Sequence, residues 1–215
     1  MIHFNKNRTG VVMNGELYTM NETYIVRLAE EKDYAAILEI YAPFITDTAI
    51  TFEIDVPVLS EFSMKIEDIL RGYPWLVCEW NNQVVGYAYA SRHRDRAAYQ
   101  WSVESSVYVS PGLHKKGVGR ALYAVLFELL SLQGFVHVYA GITLPNVKSE
   151  KFHETIGFTD LGTYTNIGYK LGAWHSVKWM ELSLSTCKQS PPTPTPFSEL
   201  RNTDKCQSAL GRVFR

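Results

Sequence analysis

The chain lacks any stretch near the ~20 consecutive apolar residues that a membrane-spanning helix needs, and Met1 to Tyr18 hold no long apolar run. No membrane partner is expected. Cysteine is scarce: Cys78, Cys187 and Cys206 are odd in number and show neither Cys-x-x-Cys nor metal-ligand spacing. They read as reduced thiols of a cytoplasmic protein rather than a disulfide framework. The six histidines never fall at paired ligand spacing, so no metal is expected. An excess of one charge is missing too, since 21 basic side chains stand against 22 acidic ones. Nothing global therefore points to nucleic acid or to an anionic surface. There is no internal repeat.

What is present suits one domain with tails. A hydrophobic content of 46% in 215 residues is ample for a core. Residues 1–22 read as a polar leader. Residues 23–184 alternate strand-like and helix-like patterns, and the fold class expected is α/β, a mixed sheet flanked by helices. Strands are expected at 24–28, 75–80, 83–91, 99–109, 135–142, 158–169 and 174–184. Helices are expected from about residue 34, with Tyr34, Ile37, Leu38 and Tyr41 inward, and at 58–71, 117–130 and 146–156. Pro43 is expected to end or bend the first helix. Asn81 and Asn82 tolerate φ > 0 and predict a two-residue hairpin. From residue 185 onward four prolines sit among Ser, Thr and Lys, the composition of a flexible linker, with a loose helix possible near the end.

The stretch between Val103 and Leu122 carries the chemistry. A strand with Val103, Ser105, Val107 and Val109 on one face gives way to the turn Ser110, Pro111, Gly112. A helix then starts near Gly117, its apolar residues spaced by three and four from Val118 to Leu130. At a helix start the first N–H groups have no intrahelical partner, and glycine lets a ligand approach the backbone closely. With His114, Lys115, Lys116 and Arg120 around Gly117 and Gly119, this junction reads as a diphosphate cradle. It is not a P-loop, because Val118 and Gly119 stand where Lys and Ser/Thr are required. It is not a dinucleotide fingerprint either, because Leu122 occupies the third glycine position. A plain strand-to-helix turn with solvated lysines is the bland alternative.

The junction resembles the acyl-CoA loop of the GCN5-related N-acetyltransferases, Gln/Arg-x-x-Gly-x-Gly/Ala after a central strand, with His114 in place of the usual Gln or Arg. Within that superfamily the chain is similar to the phosphinothricin and methionine sulfoximine N-acetyltransferases. The matching runs are YPWLV at 73–77, AY at 98–99 with Trp101, VES at 103–105, VYVSP at 107–111, LPN at 144–146, HE at 153–154 with GF at 157–158, and Gly172 with WH at 174–175. The resemblance covers about residues 24–184. It implies acetyl-CoA as co-substrate, a small-molecule amine as acceptor, and a homodimer.

Amine acetylation needs a base, because an ammonium is not nucleophilic. The resemblance implies Glu104 in that role, and partial burial mid-strand would suit it; a solvent-facing salt-bridged glutamate is the alternative. It also implies main-chain pairing of the cofactor arm with Val107, Tyr108 and Val109, diphosphate contacts from Lys115 through Arg120 (Lys116, Gly117, Val118 and Gly119 between them), and a hydrogen bond from Asn146, which is also a natural helix N-cap. His153 stands where many members of the superfamily carry a tyrosine that protonates the departing thiolate, although a histidine packed in the core fits the same pattern. For the acceptor, Arg94 and Arg96 (with Arg92) would meet a carboxylate, and Phe52, Trp75 and Tyr99 would wall the pocket; a solvated basic loop and core aromatics are the alternatives. Two other functions remain open: acetylation of a protein N-terminus or another small amine, and a non-catalytic acyl-CoA sensor.

Overall fold

The structure is a computed structural model, and it describes residues 10–13, 16–19, 24–113 and 116–214. Ahead of the main sheet in the chain, β1 (Gly10–Met13) and β2 (Glu16–Thr19) pair antiparallel as a separate two-stranded sheet. The main sheet has eight strands in the order β10-β3-β4-β5-β6-β7-β9-β8. They are β3 (Tyr24–Leu28), β4 (Trp75–Trp80), β5 (Gln83–Arg92), β6 (Ser102–Val109), β7 (His137–Thr143), β8 (Thr159–Lys170), β9 (Ala173–Ser183) and β10 (Arg212–Phe214). Every pairing is antiparallel except that of β6 with β7.

The central strands are apolar on both faces because both faces are covered. On β4, Leu76 and Cys78 join one core with Ala88, Val103 and the inward side of α3 (Val118–Gln133), from Leu122 to Leu130. Trp75 and Val77, one residue out of phase, join a second core with Tyr87 and with α1 (Tyr34–Thr46) and α2 (Leu59–Gly72). Asn81 and Asn82 take φ of 50° and 60°, the left-handed pair that a tight hairpin requires.

Three expectations need correction. Pro43 does not end α1, which runs on to Thr46. Proline costs the bond to the Glu39 carbonyl, but both residues lie on the exposed side, where water can satisfy it. The strand expected from residue 99 begins at 102, since Ala97–Tyr99 forms a 3₁₀ turn. The proline-rich end is not a loose tail. Residues 191–196 run along the domain, where the Trp101 indole donates to the Pro192 carbonyl (2.8 Å) and Gln133 Nε2 donates to the Thr195 carbonyl (2.9 Å). Two short helices follow, α5 (Phe197–Leu200) and α6 (Asp204–Ala209), which insert Phe197, Cys206 and Ala209 into the α3 core; β10 then pairs with β3. A segment too polar to build a core of its own can still add three apolar residues to an existing one.

Candidate active site

The site arises where two neighbouring strands part. β6 and β7 pair at Ser102–His137, Val103–Val138 and Glu104–Tyr139, and no further. Beyond that point β6 stays with β5 and β7 stays with β9. Between them lies a wedge in which the β7-facing backbone of residues 105–109 has no strand partner among the described residues. Buried backbone groups demand partners, so this edge is chemically suited to an added extended ligand.

Alternation along β6 sends consecutive side chains to opposite faces. Ser105 points to α3, where its hydroxyl meets that of Tyr123 at 3.3 Å. Tyr108 points to α1, packed against Tyr41 and Phe44 at ring distances of 5.0 and 5.1 Å. Val107 and Val109 pack on the α3 core. Glu104, the last β6 residue with a β7 partner, lies on the Tyr108 face. Its Oε1 is 2.9 Å from His93 Nδ1, in a pair whose side chains are 33% and 14% exposed. The His93 ring stacks on Tyr139 (4.4 Å) and meets Trp179 and Tyr99 edge-on (5.9 and 6.4 Å). Beside this pair lies a cavity of about 330 Å³ lined by His93, Arg94, Tyr139, Tyr164 and Trp179 among others.

The expected substrate residues are dispersed. Arg94 borders the cavity that His93 lines. Arg94, Arg92 and Arg96 also line a second cavity of about 480 Å³ with Tyr73, Phe135 and residues 194–196, so Arg96 faces the folded-back tail. Tyr99 is exposed and stands edge-on to His93. Phe52 lies on the α1–α2 loop over Gly168, where a Cβ would come within 2.3 Å of its ring, and it does not line the cavity beside His93. Trp75 is corrected: at 1% exposure it is core, stacked on Tyr89 at 4.0 Å and edge-on to Phe62. The α1–α2 loop is tied down by Lys170, whose Nζ donates to the Thr51 carbonyl (2.8 Å) and whose pKa is lowered by burial.

At the helix start, Gly117 has φ 86° and caps α3, and Ala121 N–H is bonded to the Gly117 carbonyl (2.9 Å). The amides of Val118, Gly119 and Arg120 therefore precede the first helical bond. A Cβ on Gly117 would meet nothing within 4 Å, while one on Gly119 would lie 3.2 Å from the Phe152 ring. Lys116 and Arg120 are exposed; Lys115 and His114 lie outside the described residues. Orphan amides, open space at Gly117 and the unpaired β6 edge fit a nucleotide diphosphate with an extended arm. Among the described residues no group of three His, Cys, Asp or Glu could hold a metal ion.

Asn146 caps α4 (Val147–Thr155), accepting from Ser149 N–H at 3.2 Å. His153 is buried among Tyr123, Phe152 and Phe158. Its Nδ1 donates to the Ser149 carbonyl (2.8 Å), and its Nε2 lies 3.4 Å from the Tyr123 hydroxyl. Burial lowers its pKa, which favours the neutral ring. It thus sits across the sheet from Glu104 and reaches β6 through Tyr123, whose hydroxyl meets that of Ser105. His93, Tyr139 and Trp179 were missed in the sequence. Register places them: Ser91 and Tyr139 both pair with Glu104, which sets His93 just beyond it, and Trp179 lies on β9 alongside β7.

An acetyltransferase (GNAT) domain profile matches residues 26–179. Among curated proteins, the phosphinothricin N-acetyltransferase of Streptomyces viridochromogenes is 37% identical over 79% of this chain and 91% of its own length. The L-methionine sulfoximine/L-methionine sulfone acetyltransferase of Salmonella typhimurium is 34% identical over 74% of this chain and 94% of its own. Among solved structures, a GNAT superfamily phosphinothricin acetyltransferase from Sinorhizobium meliloti in complex with acetyl-CoA superposes with a TM-score of 0.74. It is 30% identical, and the match covers 81% of this chain and 98% of that one.

Proposed function

Because the chain belongs to the GNAT acetyltransferase family, as an acetyl-CoA-dependent N-acetyltransferase of the phosphinothricin and methionine sulfoximine type, we propose that its acceptor is the amine of a small amino-acid-like compound and that Glu104 takes the amine proton. Phosphinothricin and methionine sulfoximine are the leading acceptors. The observation that carries this is the His93–Glu104 pair at the fork of β6 and β7, beside a cavity bordered by Arg94.

Acetyl-CoA supplies a thioester acetyl group. The amides at Val118, Gly119 and Arg120, with Lys115 and Lys116, would hold its diphosphate, and the backbone of Val107, Tyr108 and Val109 would pair with its arm. Asn146, already engaged as a helix cap, lies at the start of α4. The acceptor enters from the Glu104 face. Hydrogen bonding to His93 fixes Oε1, and Oε2 is left to accept the proton that must leave the ammonium before nitrogen attacks. Arg94 meets the acceptor's carboxylate, and Tyr99 stands edge-on to His93. No cysteine lines the fork, so transfer is direct. A proton from His153 to the departing thiolate would have to pass through the Tyr123 hydroxyl. Two copies are proposed to pair through the β8–β9 hairpin, whose Ile167, Tyr169, Leu171 and Trp174 are exposed; sedimentation would read a monomer if this is wrong.

The test is free-thiol release from acetyl-CoA with phosphinothricin, methionine sulfoximine, plain amino acids and a short peptide. Saturable turnover of the first two is expected; preference for the peptide would favour an N-terminal acetyltransferase. Glu104→Gln should lower kcat by ~10²–10⁴ with CoA affinity unchanged. Loss of CoA binding in the same proportion would assign Glu104 a structural role.

A further inference from the structure

Where β9 ends, three side chains form a line that acetyl transfer does not use. Cys187 Sγ lies 3.4 Å from His137 Nε2, and the other ring nitrogen, Nδ1, lies 2.6 Å from Glu181 Oε1. The β7–β9 ladder builds the base half of this line. His137 stands opposite Ser183, and Glu181 is two residues away on the same strand face. The chain then leaves the sheet and brings Cys187 back over the ring. The Ser183 hydroxyl adds contacts of 3.4 Å to Nδ1 and 3.5 Å to Glu181 Oε1. Cys187 is exposed, whereas Cys78 and Cys206 are fully buried.

A carboxylate at Nδ1 holds the ring proton there, which leaves the Nε2 lone pair directed at the thiol. Nucleophile, base and orienting carboxylate within hydrogen-bond reach form the arrangement that activates a nucleophile. The three groups are strung through the imidazole instead of converging on a point, and they do not form a metal-binding group. The geometry suits proton transfer rather than cation binding.

We propose that Cys187 is a covalent modification site, a base-assisted thiol that exchanges with small disulfides. Its sulfur attacks one sulfur of the disulfide while the thiol proton passes to His137 Nε2. The reagent's S–S bond breaks, a Cys187 mixed disulfide forms, and the departing thiolate takes the proton from the imidazolium. Cys187 is oxidised and half of the disulfide is reduced, so no further oxidant is needed. The partner is small and non-specific because Cys187 lines neither of the two cavities described.

The test uses the full chain and an uncharged aromatic disulfide, 4,4′-dithiodipyridine, reading release of pyridine thione over time. One thiol per chain should react in the native protein and none in Cys187→Ser. His137→Gln should slow the reaction about tenfold or more, below the ~10²–10⁴ of an enclosed base because this site is open to water. Glu181→Gln should slow it about threefold. Rates unchanged in both variants would overturn the proposal. Should His137→Gln release three equivalents, its buried cysteines have become exposed by unfolding, and Glu181→Gln then decides. The readout needs no acetyl-CoA, so its outcome is independent of the acceptor.

Discussion

Replacing Phe197 by alanine asks whether the proline-rich end belongs to the domain. The ring is 1% exposed and lies in the α3 core, in a helix of one turn that could not persist alone. Truncating a fully buried phenylalanine to alanine costs ~3–5 kcal/mol when the surroundings relax only partly. Two features make that figure apply here. The segment is anchored on both sides of Phe197, by the Thr195 N–H bond to the Gln133 carbonyl (2.8 Å) before it and by the β10–β3 pairing after it. Gln133 Nε2 also bridges the Thr195 and Gly72 carbonyls at 2.9 and 2.8 Å, which ties the segment to the end of α2. Urea unfolding followed by tryptophan fluorescence is the assay. With m of ~2–3 kcal/mol/M, a loss of ~3 kcal/mol lowers the midpoint by about 1 M or more at unchanged m. If the segment frays independently, the loss is capped at the small free energy of that local opening. A change below ~0.5 kcal/mol would therefore refute the docking of this end.

Three other perturbations probe the site. Burial holds the His153 pKa below its unfolded value of ~6.5; below that pH the unfolded chain binds the extra proton, so stability is full above ~6.5 and falls as the medium is acidified. His153→Gln should flatten that slope in urea midpoints measured between pH 7 and pH 5, and an unchanged slope would exclude His153 as its source. His93→Ala should lower kcat about tenfold with KM for acetyl-CoA unchanged, while His93→Asn, which keeps a donor at the Nδ1 position, recovers part of it; equal kcat in all three would show that Glu104 needs no positioning. Gly117→Ala places a Cβ on a residue at φ 86°, a strain of ~1 kcal/mol or more. It should raise KM for acetyl-CoA while leaving KM for the amine unchanged.

How far the sequence could be read depended on the range of each interaction. The Asn81–Asn82 turn and the Gly117 helix start are set by residues within a few positions, and both appeared where local chemistry put them. Trp75 and Tyr99 look alike as aromatics beside strands, yet one is core and the other is 44% exposed. Only the packing of α2 against β4 separates them. The end of the chain was misjudged for a related reason: composition reports whether a segment can fold alone, whereas Phe197 and Cys206 borrow a core built by α3.

The pairing of His93 with Glu104 was beyond local reading because it depends on register. Glu104 pairs with Ser91 on one side and with Tyr139 on the other, and the sheet forks at the next residue. A shift of one position would present Ser105 to His93 and turn the carboxylate into the apolar α3 core. Burying an unpaired carboxylate among Leu122, Leu126 and Leu129 would cost several kcal/mol, far more than any local preference along β6. The same alternation that puts apolar residues under α3 therefore holds Glu104 on the opposite face. Its place at the fork follows from where β7 leaves β6 to remain with β9. Fold stability and the position of the proposed base are thus one constraint, and variants that shift β6 should lose both together.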